Sequence, residues 1–396
     1  MKTPLFTAAN HEPLTAQPWE ESRARAAIDA IVADAESGCG PDGYWPTHPE
    51  DQDSDGSTLR TSVYMGAAGI IWALNRLGRA LPEQADALHG RYLAAPDSPG
   101  LVPGFWCGEA GVLLVAEQIA PTKTRAARLL AAIDANAENE SNELMWGAPG
   151  TMLAARAMFE STGEERWAEA WRRSAELLWS RWLPVEEYGC RLWKQRLYGS
   201  DARYIGPAHG FAGNVLALSL DSGLLSPERR AELERRAIET VTNFALVDGE
   251  LANWPPVAEQ EMERPGAGIR TQWCHGAPGI VTSLARVARE DPRLTSLLVR
   301  GGELTWRAGP LAKGAGLCHG TAGNGCAFLA LYERTGDELW LGRARRFAVH
   351  ALGQVETARR HHGFGRHSLW TGDIGVALFL DQCIEGRAGM PSLDLL

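Results

Sequence analysis

One tetrapeptide constrains this chain more than any other feature. Gly-x-x-Gly followed by an apolar run occurs seven times, at Gly66-Ala67-Ala68-Gly69, Gly108-Glu109-Ala110-Gly111, Gly147-Ala148-Pro149-Gly150, Gly210-Phe211-Ala212-Gly213, Gly276-Ala277-Pro278-Gly279, Gly320-Thr321-Ala322-Gly323 and Gly372-Asp373-Ile374-Gly375. The spacings are 42, 39, 63, 66, 44 and 52 residues, the period of a repeat architecture. Amphipathic, charge-bearing segments with helical periodicity precede each instance, at roughly 20–36, 82–95, 122–138, 164–181, 227–245, 291–306 and 336–356. The unit is therefore a helical hairpin in which a polar-faced helix leads into one that is apolar all round. A helix of the second kind must be buried. Seven of them are buried together if they form an inner ring inside seven outer helices, so we expect an all-α fold, an α/α toroid. Residues 1–396 read as one domain with a repeat core at about 60–382. Strand signals are sparse, with short extended pieces expected near 188–206 and 247–273. The glycines let backbones approach closely and leave helix N-terminal N–H groups open at one end of the barrel; for most of them simple packing is the favoured reading.

A net charge of −10 and a pI near 5.6 exclude a basic surface for nucleic acid or anionic membrane. The first twenty residues carry Pro4, Pro13 and Pro18 and no basic start followed by an apolar stretch, so no secretory signal is visible. The longest apolar run, Tyr64 to Leu74, is interrupted by Gly66 and Gly69 and is too short to span a bilayer. A cytoplasmic protein is expected. Its seven scattered cysteines suit reduced thiols and metal ligands better than a disulfide framework.

The chemistry concentrates in two repeats. Cys274-His275-Gly276 and Cys318-His319-Gly320 are the same tripeptide at the same repeat position. With 7 Cys, 10 His and 43 Gly in 396 residues, chance supplies roughly 0.02 such tripeptides. In a toroid both face one central cavity. Thiolate and imidazole are ligands that zinc prefers, and three protein ligands leave a fourth position open, as catalysis requires. Cys274, Cys318 and His319 are the favoured set, with His275 behind the ligands or facing the substrate. A closed zinc that also uses His275, or buried cysteines beside satisfied core histidines, are the blander alternatives.

His209 stands in the fourth repeat where the next two have His275 and His319. An imidazole beside an open zinc can take a proton from a thiol or return one to a carbanion. Glu143, four residues before Gly147, approaches the same mouth and is expected to orient a histidine or share the proton transfer, unless it merely begins a helix. Lys313, five residues before Cys318, suits a substrate carboxylate, although most lysines are only solvated. Trp106, Trp146, Trp273 and Trp370 precede repeat glycines, as pocket lining or as packing between helices.

These residues resemble the lanthionine cyclase family, LanC, and more closely its LanC-like branch. The resemblance runs over about residues 60–382 and rests on Trp273-Cys274-His275-Gly276-Ala277-Pro278-Gly279, Lys313 to Asn324, Ala208-His209-Gly210-Phe211-Ala212-Gly213, Asn142-Glu143-Leu144-Met145-Trp146-Gly147 and Asn253-Trp254-Pro255-Pro256. It implies a toroid of seven inner and seven outer helices, with zinc on Cys274, Cys318 and His319, an acid/base histidine at His209 and an acidic residue at Glu143. The implied activity is thioether formation, in which a zinc-activated thiol adds in Michael fashion to dehydroalanine or dehydrobutyrine and the enolate is protonated. LanC proteins do this within one peptide; LanC-like proteins add glutathione to dehydrated residues, which makes Lys313 a glutathione-binding candidate. The seventh repeat departs from the family pattern, with Thr371-Gly372-Asp373 where Glu-Gly is usual. The toroid consumes the chain, so a separate dehydratase or kinase is expected to make the electrophile. Two rivals are a non-catalytic glutathione- or peptide-binding scaffold and a glycosidase with Glu143 and Glu109 as its carboxylates; the latter leaves the Cys-His pairs unexplained.

Overall fold

The computed structural model describes residues 4–52, 60–259 and 269–396. Within them outer and inner helices alternate seven times along the chain: α1 (Glu21–Ser37) and α2 (Ala67–Arg76), α3 (Pro82–Ala94) and α4 (Glu109–Ile119), α5 (Lys123–Asn136) and α6 (Ala148–Thr162), α7 (Glu165–Ser180) and α8 (Phe211–Ser219), α9 (Pro227–Asn243) and α10 (Ala277–Leu284), α11 (Pro292–Ala308) and α12 (Thr321–Thr335), and α13 (Glu338–His362) and α14 (Asp373–Glu385). The even-numbered helices touch in the closed cycle α2, α4, α6, α8, α10, α12, α14 and back to α2. The first outer helix, α1, packs on the last inner helix, α14, so the two ends of the toroid meet. The toroid expected from the repeats is the observed fold.

Amphipathicity sorts the two layers. In α7 the buried residues Trp167, Trp171, Ser174, Ala175 and Leu178 recur at three- and four-residue intervals, the stripe of a helix with one face on a core. In α8 every residue from Phe211 to Leu218 is buried, as the centre of the barrel requires. The first glycine of each repeat is the N-cap of its inner helix. The second meets the incoming chain. A Cβ at Gly279 would lie 1.9 Å from the Trp273 carbonyl, and one at Gly323 would lie 1.7 Å from that of Leu317. No side chain fits there, so the tetrapeptide is first a device for folding the approach segment back over the helix start.

That close approach builds a backbone belt around the barrel mouth. The residue two before each N-cap glycine donates its N–H to the carbonyl of its counterpart in the next repeat: Cys274 to Cys318 (3.0 Å), Cys318 to Trp370 (2.9 Å), Trp370 to Tyr64 (3.1 Å), Tyr64 to Trp106 (3.0 Å) and Trp106 to Met145 (3.3 Å). Among the described residues no such bond joins the fourth repeat, and the belt opens there.

Inside the belt, Trp106, Trp273 and Trp370 are fully buried and pack on one another, with ring centroids 4.4 to 5.8 Å apart. These three indoles are core. Trp146 alone of the four is half-buried. Buried indole N–H groups need acceptors, and Ser392 Oγ accepts from Trp106 (3.3 Å) and Trp370 (3.1 Å). The segment carrying Ser392 enters the barrel from its far end. There the Leu393 carbonyl accepts from Arg156 (3.2 Å), and Asp394 pairs with Arg286 at 2.9 Å. The buried core thus extends past residue 382, where the glycine repeats stop.

Three two-stranded antiparallel hairpins interrupt the helices: β1 (Leu183–Val185) with β2 (Cys190–Leu192), β3 (Gln195–Leu197) with β4 (Ser200–Ala202), and β5 (Leu246–Asp248) with β6 (Leu251–Asn253). They occupy the two long connections marked for extended structure, beginning a few residues earlier at 183 and 246. Residues 260–268 of the second connection lie outside the described residues.

Candidate metal centre

The belt explains how two cysteines from repeats five and six become neighbours. Cys274 and Cys318 hold the same register position and are joined through their backbones, so their side chains project from adjacent points of the mouth. Ligand atoms of Cys274, Cys318 and His319 all lie within 4.8 Å of one another. Cys274 is 7% and Cys318 4% exposed, and His319 is half-buried. The donor set is two soft sulfurs and one imidazole, which selects zinc over hard cations.

The two thiols are strongly unequal, because one proton serves both sulfurs. A hydrogen bond from Cys318 pulls the Cys274 thiol well below its ordinary range against burial, helped by His319 and His275. The same bond to Cys274, reinforced by burial, pushes the Cys318 thiol well above its own. A dication in place of that shared proton satisfies both sulfurs at once. The residues fit a zinc ion.

One sulfur has a further donor: Gln272 Nε2 lies 2.9 Å from Cys274 Sγ. Tyr64 is buried near Cys318, and burial first, with the neighbouring sulfur adding to it, pushes its phenol well above the ordinary range. Asn253 holds the loop from behind: its Oδ1 accepts from the backbone N–H groups of Trp254 (2.9 Å) and Ala277 (2.7 Å), and its Nδ2 donates to the Leu5 carbonyl (2.7 Å).

Where the belt opens, a carboxylate replaces it. The Met145 N–H donates to Glu143 Oε2 (2.9 Å) and the Trp146 N–H to Oε1 (2.6 Å). Oε2 also accepts from His209 Nδ1 at 3.0 Å. Glu143 is fully buried and held by these three donors, which makes it an orienting group: with Nδ1–H bound to the carboxylate, Nε2 is the nitrogen left to exchange a proton. The His209 ring is 6.2 Å from that of His275, the neighbour of Cys274 in sequence, and Tyr204 closes the triangle at 5.8 and 6.3 Å. His275 itself has a buried Nδ1 without a partner, and burial lowers its pKa. It is not among the grouped ligands.

Lys313 is exposed and its charge reaches Cys318. It lines two cavities: one of about 420 Å³ with Arg270 and Gln272, and one of about 620 Å³ with His48, Arg360, Thr371 and Asp373. The departure in the seventh repeat therefore sits in a cavity wall, where burial pushes the Asp373 carboxyl up to about 7 against the pull of Arg359. Glu109 is held by Arg128 (2.8 Å) and His89 (2.8 Å) between neighbouring outer helices, and the glycosidase pairing has no support. Tyr64, Tyr204, Arg270 and Gln272 were missed by the sequence reading. Tyr64 was legible, since it occupies the same register position as Cys274 and Cys318.

Fold and site together define a class: an α/α toroid with a buried Cys-Cys-His group able to hold a metal at one mouth. Among the described residues no helix is long and apolar enough to cross a membrane. A family model described as lanthionine synthetase C-like protein matches residues 57–395, and the chain belongs to that family. A zebrafish (Danio rerio) protein named glutathione S-transferase LANCL1 is 31% identical over 188 residues, covering 47% of this chain and 41% of the relative. An Arabidopsis thaliana protein named LanC-like protein GCL1 is 41% identical over 80 residues, covering 19% of this chain and 18% of the relative. The matched stretches thus span less than half the length of either. Among solved structures, nisin cyclase superposes with a TM-score of 0.63 at 15% identity, over 92% of this chain and 94% of that one; this likeness speaks to the fold.

Proposed function

We propose that this chain is a zinc-dependent enzyme that forms thioethers, adding glutathione or a peptide cysteine to dehydroalanine or dehydrobutyrine in a peptide or protein. The observation that carries the reading is the Cys274–Cys318–His319 group with a carboxylate-oriented imidazole, His209, on the facing side of the same mouth. Zinc on those three residues would supply Lewis acidity that keeps a substrate sulfur deprotonated near neutral pH. His209 accepts the thiol proton at Nε2. Sulfur bonds to the β-carbon, the C=C electron pair moves toward the carbonyl oxygen, and His209 returns its proton to the α-carbon, so the addition balances without a leaving group. Glu143 keeps the imidazole in the tautomer this needs. Lys313 and Arg270, in one cavity wall, offer charge to the carboxylates of glutathione. The name of the zebrafish relative supports a glutathione-using enzyme.

The test is thiol addition to a dehydroalanine peptide, followed by mass spectrometry with zinc content measured beside it. His209→Ala is expected to lose about 10²- to 10⁴-fold in turnover while keeping its zinc. Glutathione binding without turnover in the wild type, on peptide and protein electrophiles alike, would instead establish a non-catalytic binder.

A further inference from the structure

Tyr198 occupies a position that folding alone gives no reason to fill with tyrosine. It and Gly199 are the two central residues of the turn joining β3 to β4, where Leu197 pairs with Ser200, and both lie in the left-handed region, at φ +53° and +76°. Two-residue hairpin turns favour asparagine, aspartate or glycine at such positions. A bulky side chain there stores strain, and strain of this kind gathers at functional sites. Burial does not offset it: Tyr198 is 75% exposed, more than any other large hydrophobic residue among those described.

What the ring does meet is His209. The two centroids are 6.1 Å apart at 85°, an edge-to-face contact. The hairpin that carries Tyr198 is tied to the loop that carries Glu143. The Arg196 N–H donates to the Glu140 carbonyl (3.2 Å), Gln195 Nε2 to the Asn142 carbonyl (3.2 Å) and Asn142 Nδ2 to the Lys194 carbonyl (2.9 Å). One scaffold therefore gives His209 two neighbours, a buried carboxylate at Nδ1 and an exposed aromatic ring on the solvent side. Tyr204, another aromatic neighbour, is half-buried, and its carbonyl accepts the Phe211 N–H at the start of α8 (2.9 Å), so the fold accounts for it.

We propose that Tyr198 is the aromatic contact for the electrophile: its ring packs on the dehydrated residue and keeps the α-carbon within reach of His209, so that the peptide enters over the β3–β4 hairpin and the thiol enters beside Lys313. This rests on the thioether reading above, in which the α-carbon comes to His209 Nε2. With Glu143 buried behind the imidazole, a peptide or protein arrives from the exposed side, where Tyr198 stands. A dehydroalanine residue is flat and conjugated and offers no charge or long side chain to grip. An aromatic ring recognises such a surface by contact area, and a neutral one leaves the proton exchanged by His209 undisturbed.

The experiment compares full-length wild type with Tyr198→Phe, Tyr198→Ala and Tyr198→Asn. The readouts are KM for a dehydroalanine peptide, KM for glutathione, the Kd of the fluorescein-labelled peptide without thiol, and the thermal midpoint. Tyr198→Ala and Tyr198→Asn should raise the peptide KM and Kd about 3- to 10-fold and leave the glutathione KM unchanged. Tyr198→Phe should match the wild type, because the ring and not the hydroxyl makes the contact. Tyr198→Asn should also unfold about 1–3 °C higher, since asparagine suits the turn; a purely structural tyrosine would give the opposite sign. Unchanged peptide affinity in Tyr198→Ala, equal shifts for peptide and glutathione, or a Tyr198→Asn protein less stable than the wild type would overturn the inference. So would a Tyr198→Phe protein that loses turnover at unchanged peptide affinity, because the hydroxyl would then move a proton. A wild type that binds glutathione and peptide yet never joins them would sink the thioether reading, while the Kd values would still decide whether Tyr198 touches the peptide.

Discussion

The mouth of this toroid is built in two ways. Around repeats five, six, seven, one, two and three the approach segments are tied carbonyl to N–H into a continuous belt, and the two cysteines sit on it. Between repeats three and four the belt is open, and the Met145 N–H that would have reached the next repeat is taken by Glu143, which presents its carboxylate to His209. The same register position thus serves two ends. The proposed metal centre needs ligands fixed to a few tenths of an ångström, which backbone bonds between repeats would supply. The proposed proton shuttle needs a side chain with one nitrogen left over, which the Glu143–His209 bond would supply at Nε2.

Substituting Glu143 attacks the open side alone. Glu143→Gln keeps the shape but replaces an acceptor-only group with an amide that must donate from one atom, so it cannot accept from Met145, Trp146 and His209 together. Turnover should fall about 10- to 100-fold with zinc content unchanged. Loss of zinc in Glu143→Gln would show that the two sides are not independent.

On the belt side, Lys313→Ala should raise the KM for glutathione about tenfold, equivalent to about 1.4 kcal/mol of binding, and leave a small uncharged thiol unaffected. An equal effect on both thiols would place the lysine's role at the metal rather than at the substrate carboxylates.

A third prediction reads stability rather than turnover and concerns Asp373, outside both arrangements but in the wall of the larger cavity. Its folded pKa of about 7 lies above its ordinary value near 3.8 because burial outweighs Arg359 and Arg366. A carboxyl raised on folding binds its proton more tightly in the native state, so its contribution is fully present below about pH 4 and is lost as pH rises through 7. Asp373→Asn should therefore flatten the decline of the unfolding free energy between pH 4 and 7, measured by urea denaturation. An unchanged slope would mean that Arg359 and Arg366 already hold Asp373 ionised.

Much of this was legible in the sequence because a repeat converts register into space. Seven Gly-x-x-Gly marks led to the inner ring, and Cys274 and Cys318 could be set side by side from their equal positions. The histidine column led to His209. A contact within one repeat left no periodic trace: Gln272 folds onto Cys274 through a local turn. Tyr64 shares the register of the two cysteines, but its place near Cys318 depends on the ring closing between the seventh and first repeats. The role of Glu143 depended on where the Met145 N–H goes, which is a property of the missing belt bond and not of the residue. The segment around Ser392 carries no repeat mark, so its place inside the barrel was invisible until its hydroxyl was seen to accept from two indoles.

The claim on which the rest depends is an open metal centre at the belt, and X-ray absorption at the zinc edge tests it most directly. The wild type is predicted to hold one zinc with two sulfurs at about 2.3 Å and one protein nitrogen at about 2.0–2.1 Å, to gain a third sulfur when glutathione is added, and to lose the metal in Cys318→Ala. A zinc with four protein ligands that glutathione does not alter, or a Cys318→Ala protein that keeps its zinc, would contradict the account.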